Sequence, residues 1–303
     1  MPTGLYALVE APAAPAPRGP TLLRSANLVD DAVISPDGVT QQNRRWMQGL
    51  TWRPQACGSR AVVAGIDVCS TFSGFTETTE GTAPQYVPPH VAVALPCSGM
   101  SGEMVLAETR DRATALLDRC QTLGIADELW TADVAVARGW PNPSLSDPTG
   151  LTQLGGGAST AVLDAMAALE EGVAQGSCAG GGVIHATVQT VTYWQYLRLV
   201  ERQADGRLLT ALGTVVIADP GYDGSAPDGS VDATGATAWA YGTSMIDIRL
   251  GPVEVSTGPN PSLDLSGLNR SNNDFVVYAH RAFAATFEPC LRVGVKVNHA
   301  SLT

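Results

Sequence analysis

The stretch "AVVAGIDVCSTFSGFTETTEGTAPQYVPPHVAVALP" covers residues 61–96. Two apolar, β-branched runs, 61–68 and 90–95, flank a polar segment rich in Thr, Gly and Pro. β-branched residues fit pleated strands, whereas Gly, Pro and small polar residues favour loops. The pattern predicts a long hairpin over 61–97 with a tip too large for a tight turn. An isolated two-stranded hairpin is marginal in water, so this arm needs a surface to lie against.

On its N-terminal side, residues 1–60 form a Pro-rich opening followed by "LLRSANLVDDAVI" and "NRRWMQGLTWRPQACGSR", with little sustained period. They predict an extended arm with Trp46 and Trp52 as anchors. Aromatics spaced along an irregular segment plug into a surface, their own or a neighbour's. On the other side, "SGEMVLAETRDRATALLDRCQTLG" predicts a long helix over 101–123. Ser101 is its N-cap, Glu103 supplies charge for the N-terminus, and Gly124 is its stop. Met104, Ala107, Ala115, Leu116 and Cys120 form the expected buried stripe.

Residues 125–158 read as irregular. "STAVLDAMAALEEGVAQG" predicts a second helix, capped by Ser159 or Thr160, with Val162, Met166, Leu169 and Val173 inward. "GGGVIHATVQTVTYWQYLRLVERQADG" predicts a strand and then a helix ending near 205–206. The remainder turns β: "RLLTALGTVVIADPGY", "ATAWAYGTSMIDIRLGPVEVS" and "NDFVVYAHRAFAATFEPCLRVGVKVNHA". Helices and strands segregate, so the fold class is α+β and not a βαβ alternation.

The chain has 303 residues, 45% hydrophobic and only 16% charged, enough apolar material for a substantial core. Its formal net charge is −11, and of its 18 basic residues all but Lys296 are arginine. That balance opposes a nucleic-acid reader, which depends on basic residues to neutralise phosphates. No polybasic cluster supports attraction to a membrane surface. The opening lacks the pattern of a secretory leader, and no run of about 18 apolar residues predicts a spanning helix. The six cysteines are scattered without a C-x-x-C pair, so they are expected to be small buried hydrophobes in a reducing compartment.

No motif carries catalysis. His90, His185, His280 and His299 lack ligand spacing, and structural roles are expected for each. The Gly-rich "LGGGAST" and "GSCAGGGVIHA" match neither a phosphate loop nor a dinucleotide fingerprint. Asp219, Asp223, Asp228 and Asp232 lie in a Gly/Pro loop whose spacing is not that of a calcium-binding EF-hand loop. "CSGMSG" imitates a nucleophile elbow, but Ser101 is better read as a cap. The expectation is a non-enzyme with no catalytic residue, cofactor or metal.

The order of arm, hairpin, long helix and mixed α/β region ending in strands resembles the tailed-bacteriophage major capsid fold of the Hong Kong 97 type, which encapsulins share. The resemblance implies an N-terminal arm (1–60), an E-loop hairpin (61–97), a peripheral domain (98–150 and 256–303) carrying a spine helix (101–123), and an axial domain (151–255). It implies a structural virion protein: a self-assembling subunit of an icosahedral bacteriophage capsid that encloses the dsDNA genome without sequence-specific binding and without a membrane. Hexamers and pentamers of the chain, with scaffolding, decoration and portal proteins, are the implied partners. The location is the virion, assembled in the host cytoplasm. Trp46, Trp52, Phe72, Phe75 and Tyr86 are the candidate subunit-interface residues. The alternatives are another virion part (minor capsid, connector or tail-tube protein) or a soluble hydrolase. Some capsid proteins of this kind crosslink through a hairpin lysine; 61–97 has none, so no such crosslink is expected. Deleting 73–88 is expected to leave a folded subunit that assembles poorly. Normal particles from that variant under negative stain would exclude an intersubunit role for the hairpin tip.

Overall fold

Thr109, Ala113, Leu117, Gln121, Ile125 and Leu129 recur every fourth residue, and all are buried. Positions four apart share one face of a helix, so this row fixes how the longest element lies on the rest of the molecule. The computed structural model describes residues 21–29, 32–34, 40–42, 45–52, 84–97, 103–176, 181–257 and 275–302. In chain order, the residues ahead of position 90 contribute α1 (Leu22–Ser25), β1 (Asn27–Leu28), β2 (Ala32–Ile34), β3 (Thr40–Gln42), β4 (Leu50–Thr51) and β5 (Gln85–Tyr86). Next come β6 (His90–Cys97), α2 (Glu103–Thr131), α3 (Asp133–Arg138), β7 (Thr152–Gln153), β8 (Ser159–Ala161) and α4 (Val162–Gly176). β9 (Gly182–Ala186), α5 (Val188–Tyr196), β10 (Val200–Arg202), β11 (Leu208–Thr210) and β12 (Val215–Ala218) follow. The chain closes with β13 (Thr237–Ser244), β14 (Asp247–Leu250), β15 (Glu254–Thr257), β16 (Phe275–Thr286) and β17 (Val293–Asn298). The α+β class read from the sequence holds.

The first sheet is built on β16. β6 pairs antiparallel along its first eight positions, from Phe275↔Cys97 to Ala282↔His90. On the other side, β15 pairs with Val277 to His280 and β14 with Phe283 to Thr286; β1 adds in parallel to β14. Alternate residues of a strand face opposite ways. Val91, Val93 and Leu95 therefore turn with Val277 and Ala279 towards Ala113 and Leu117 of α2. β6 is the second limb of the expected hairpin; the first limb, 61–68, the proposed cap Ser101 and residues 73–83 of the tip lie outside the described residues, whereas 84–88 of the tip are described.

α2 departs from its sequence reading in two ways. Its buried row is not the expected one: Ala107, Ala115 and Cys120 are exposed. It also runs through Gly124 to Thr131. A Cβ at position 124 would stand 3.2 Å from Val91 Cγ2, so the glycine is a point of close helix–strand approach, not a stop. The helix ends at Ala132, which takes a left-handed conformation (φ 56°). There the Glu128 carboxylate accepts from the N–H groups of Val134 and Ala135, both at 2.9 Å. It caps α3 from the preceding helix, where the sequence suggested irregular chain.

The second sheet has the order β10-β11-β12-β9-β13-β17-β7, with β8 also on β17. α4 covers one face as expected, through Val162, Met166, Leu169 and Val173 against Ile184, Val216, Val295 and Val297. Ser159 and Thr160, read as caps, lie in β8 instead. The other face receives the end of α2: Ile125, Leu129 and Trp130 pack with Val183, Val215, Ile217 and Tyr241. β9 and β12 are therefore buried on both faces, which explains their unbroken apolar runs. α5 stops at Tyr196, well before 205–206. Arg198 turns left-handed (φ 58°), and β10 begins at Val200.

The sheets divide the chain differently from the expected domains. β14 and the first half of β15, placed with 151–255 by sequence, belong to the sheet of β16. β17, placed with 256–303, lies inside the second sheet beside β13. Gly221 sets the gap between the second sheet's loop and α2: an added Cβ would stand 2.4 Å from the Leu123 carbonyl and 2.8 Å from the Asp127 nitrogen. Both obstacles are helix backbone and cannot rotate away. Gly221→Ala is expected to cost about 1–3 kcal/mol, as overpacking does. A denaturant midpoint equal to that of the wild type would refute this close approach.

Candidate functional site

The anchors predicted for assembly divide into two groups. Trp46 and Tyr86 are buried within the subunit itself, packed on Ala282 and Ala284 of β16 with Met47 and Leu50; Trp52 is half-buried beside them. β4 and β5 hold them there through the pairing Leu50↔Tyr86. Burial pushes the Tyr86 phenol well above its ordinary pKa. Phe72 and Phe75 lie outside the described residues. Just beyond Tyr86, the Asn142 side chain clamps the backbone of Val87: it accepts from the N–H at 2.6 Å and donates to the carbonyl at 2.9 Å. Residues 84–97 are thus fastened by an aromatic cluster, an amide clamp and a strand ladder in succession.

The polar groups named from sequence are engaged inside the fold. His185, fully buried on β9, meets the Tyr222 hydroxyl through Nδ1 (2.9 Å) and Thr243 Oγ1 through Nε2 (3.1 Å). Its ring faces two hydroxyls and no carboxylate, so the geometry is that of a satisfied core histidine. His299 bridges Thr190 Oγ1 and the Gly235 carbonyl. Asp219 accepts from the N–H groups of Leu22 and Gly221. Burial raises its pKa, and those two donors oppose the rise. Asp223, Asp228 and Asp232 accept from Ser225, Ser230 and Thr234 two residues on. These are Asx turns, in which each carboxylate is taken up by the backbone of its own loop. Hydroxyl donors Thr234 and Thr237 hold Asp232 below the ordinary carboxylate range.

Two features were not legible in the sequence. Arg292 is buried and donates to the carbonyls of Ser144 and Thr149, with Asp147 at 3.9 Å. It ties the segment after α3 to the start of β17. Cys290 is disulfide-bonded, which corrects the expectation of six unpaired thiols; Cys120 is a free, exposed thiol on α2. Widely spaced cysteines gave no signal, since pairing depends on Cα separation in the fold.

His90 and His280 were read as separate structural residues, yet they meet on the sheet surface, Nδ1 to Nδ1 at 3.2 Å. Burial and the neighbouring His280 lower the pKa of His90, against the pull of Glu254. Large apolar side chains also reach solvent: Val136 within α3, Tyr196 at the end of α5 and Leu212 between β11 and β12 are 73%, 81% and 80% exposed. Among the described residues, no helix is long and apolar enough to cross a membrane.

No protein-family model and no curated protein matches the chain. Solved structures do. The virus-like particle from Pyrococcus furiosus is similar at 10% identity over 92% of this chain and 93% of that one, with a TM-score of 0.45. The capsid of an empty GTA particle is similar at 15% identity over 96% of both chains, with a TM-score of 0.45. A chain of Mycobacterium phage Adephagia is similar at 13% identity over 91% of this chain and 86% of that one, with a TM-score of 0.47. The chain is similar in outline to these proteins along most of its length.

Burial pushes the pKa of His185 down to about 3, whereas an unfolded histidine titrates near about 6.5. Between those values the unfolded chain binds a proton that the folded chain refuses. Stability contributed above about pH 6.5 is therefore lost as pH falls towards 3, by about 2 kcal/mol at pH 5. Urea unfolding of the wild type is expected to weaken more between pH 7.5 and pH 5 than that of His185→Gln. Equal losses in the two proteins would place the titration elsewhere.

Proposed function

We propose that this chain is a self-assembling structural subunit of an icosahedral bacteriophage capsid, which encloses double-stranded DNA without reading its sequence. The observation that carries the reading is the construction around 84–97. The limb of an extended hairpin is fastened at its base by Trp46, Tyr86 and Asn142. It is then laid in register along β16 and backed by a 29-residue helix. A stiff base of this kind suits an arm that engages a neighbouring subunit, since pre-organisation lowers the entropic cost of association.

Other properties agree. The exposed Val136, Tyr196 and Leu212 are large apolar side chains that neighbours in a lattice would cover. The surface carries little charge, as interface cores do. A net charge of −11 suits a container that must not grip packaged DNA tightly. In this reading the chain forms hexamers and pentamers and has no catalytic role. Scaffolding, decoration and portal proteins are its further partners, and Trp52, Phe72 and Phe75 are the aromatics that meet neighbours. Trp46 and Tyr86 act by holding the base of the arm.

Light scattering behind size exclusion, with negative-stain imaging of the heaviest fraction, tests the proposal. Closed shells, or hexamers and pentamers, are expected. Stacked rings or tubes would move the assignment to a tail or connector part. A 31.5 kDa monomer at every concentration would overturn it and send attention back to hydrolase chemistry.

A further inference from the structure

His90 opens β6, and His280 lies in β16, 190 residues later. The register pairs His90 with Ala282 and Ala92 with His280. The two histidines are therefore diagonal neighbours on one face of an antiparallel pair, within reach of long side chains. The other face of the same strands is locked on α2 through Val91, Val93 and Ala279. Both imidazoles thus rise from a backbone that packing holds still. Their Nδ1 atoms are 3.2 Å apart while the ring centroids are 5.3 Å apart, so the nitrogen edges face each other.

Two nitrogens bound to one tetrahedral zinc ion, each at about 2.0–2.1 Å, lie about 3.3 Å from one another. The pair already has that separation. Imidazole nitrogen suits zinc, nickel and copper(II), and does not suit magnesium or calcium. Glu254 sits directly across from His280 on β15, and its negative charge acts on His90. Among the described residues no group of three or more candidate ligands exists, so water would complete the coordination.

We propose that His90 and His280 form a two-imidazole site for a divalent transition-metal ion, which staples β6 to β16. Without metal, one ring donates its Nδ1 proton to the other. On binding, that proton moves to Nε2 and both Nδ1 lone pairs turn to the ion. The neutral pair therefore takes up metal with no net proton release. His185 and His299 do not compete, because both nitrogens of each ring are already hydrogen-bonded.

Calorimetric titration of the full chain with Ni²⁺ and Zn²⁺ at about pH 7.5 tests the site. One ion per chain is expected, together with a higher melting midpoint, because a ligand of the folded state stabilises it. His90→Ala and His280→Ala should each weaken binding by at least about tenfold. Cys120→Ser, which removes the exposed thiol, should leave binding unchanged, and Mg²⁺ should not bind. Circular dichroism of the metal-free variants confirms that they fold; His90→Gln replaces His90→Ala if it does not. Broadening of two imidazole resonances by Cu²⁺, absent in the variants, gives an independent readout. No Ni²⁺ or Zn²⁺ uptake by the wild type, uptake unchanged in both alanine variants, or uptake lost with Cys120→Ser would overturn the proposal.

Discussion

The packing of α2 between the two sheets is the contact on which everything else depends. Its first half lies on β6 and β16 through Ala113 and Leu117. Its last turns enter the core shared by both sheets, where Ile125, Leu129 and Trp130 meet Val183, Ile217, Ile248 and Phe283. A helix that joins two sheets must approach both closely. Gly124 and Gly221 supply the two places where a side chain would stand in the way. Trp130 completes the join: its indole N–H donates to Ser225 Oγ at 2.9 Å, and its rings pack on Tyr222 and Tyr241. The polar end of a large aromatic is thereby satisfied inside an apolar core, as its burial requires.

Polar groups buried near this join bind distant parts of the chain together. Leu22 of the arm plugs into the shared core, and its N–H is received by Asp219 at the end of β12. Arg292 spends its charge on two carbonyls of the segment after α3. In each case a buried charged group meets partners 143 to 197 residues away. Leaving such a group unpaired is costly, so these contacts specify the path of the arm and of the 140s as firmly as packing does.

The sequence revealed local chemistry well and spatial convergence poorly. The hairpin limb 90–97, the α4 row of Val162, Met166, Leu169 and Val173, and the closing strands follow from period and composition. α2 was misplaced on its axis because its buried row contains Thr109 and Gln121, while alanines lie on both faces; contrast between faces is what such reading needs. Gly124 looked like a stop because the strand that requires a glycine there is not adjacent in sequence. α5 ended early through a left-handed Arg198, which no turn residue announces. β14, β15 and β17 pair across the boundaries expected from chain order, because strands choose partners by sheet and not by proximity in the chain. The five aromatics expected at an interface were chosen by type alone, and type does not say which side of a subunit boundary an aromatic fills.

The base of the hairpin limb and the histidine pair are one piece of structure. Pro88 and Pro89 connect Tyr86 to His90, and the Pro89 carbonyl already accepts from Phe283 N–H at 3.0 Å, extending the ladder one step beyond β6. Proline donates no hydrogen bond and fixes its own backbone, so the ladder gains stiffness here from ring geometry and loses one donor at each proline. An ion held by His90 and His280 would act at the first residue past that gap, where side-chain crosslinking adds most to backbone pairing. The limb therefore has three successive fastenings, aromatic, amide and imidazole, each made to β16 or to the segment after α3. In the proposed capsid role, stiffness belongs at this end of the arm, because angular play at a base is multiplied along the length it supports.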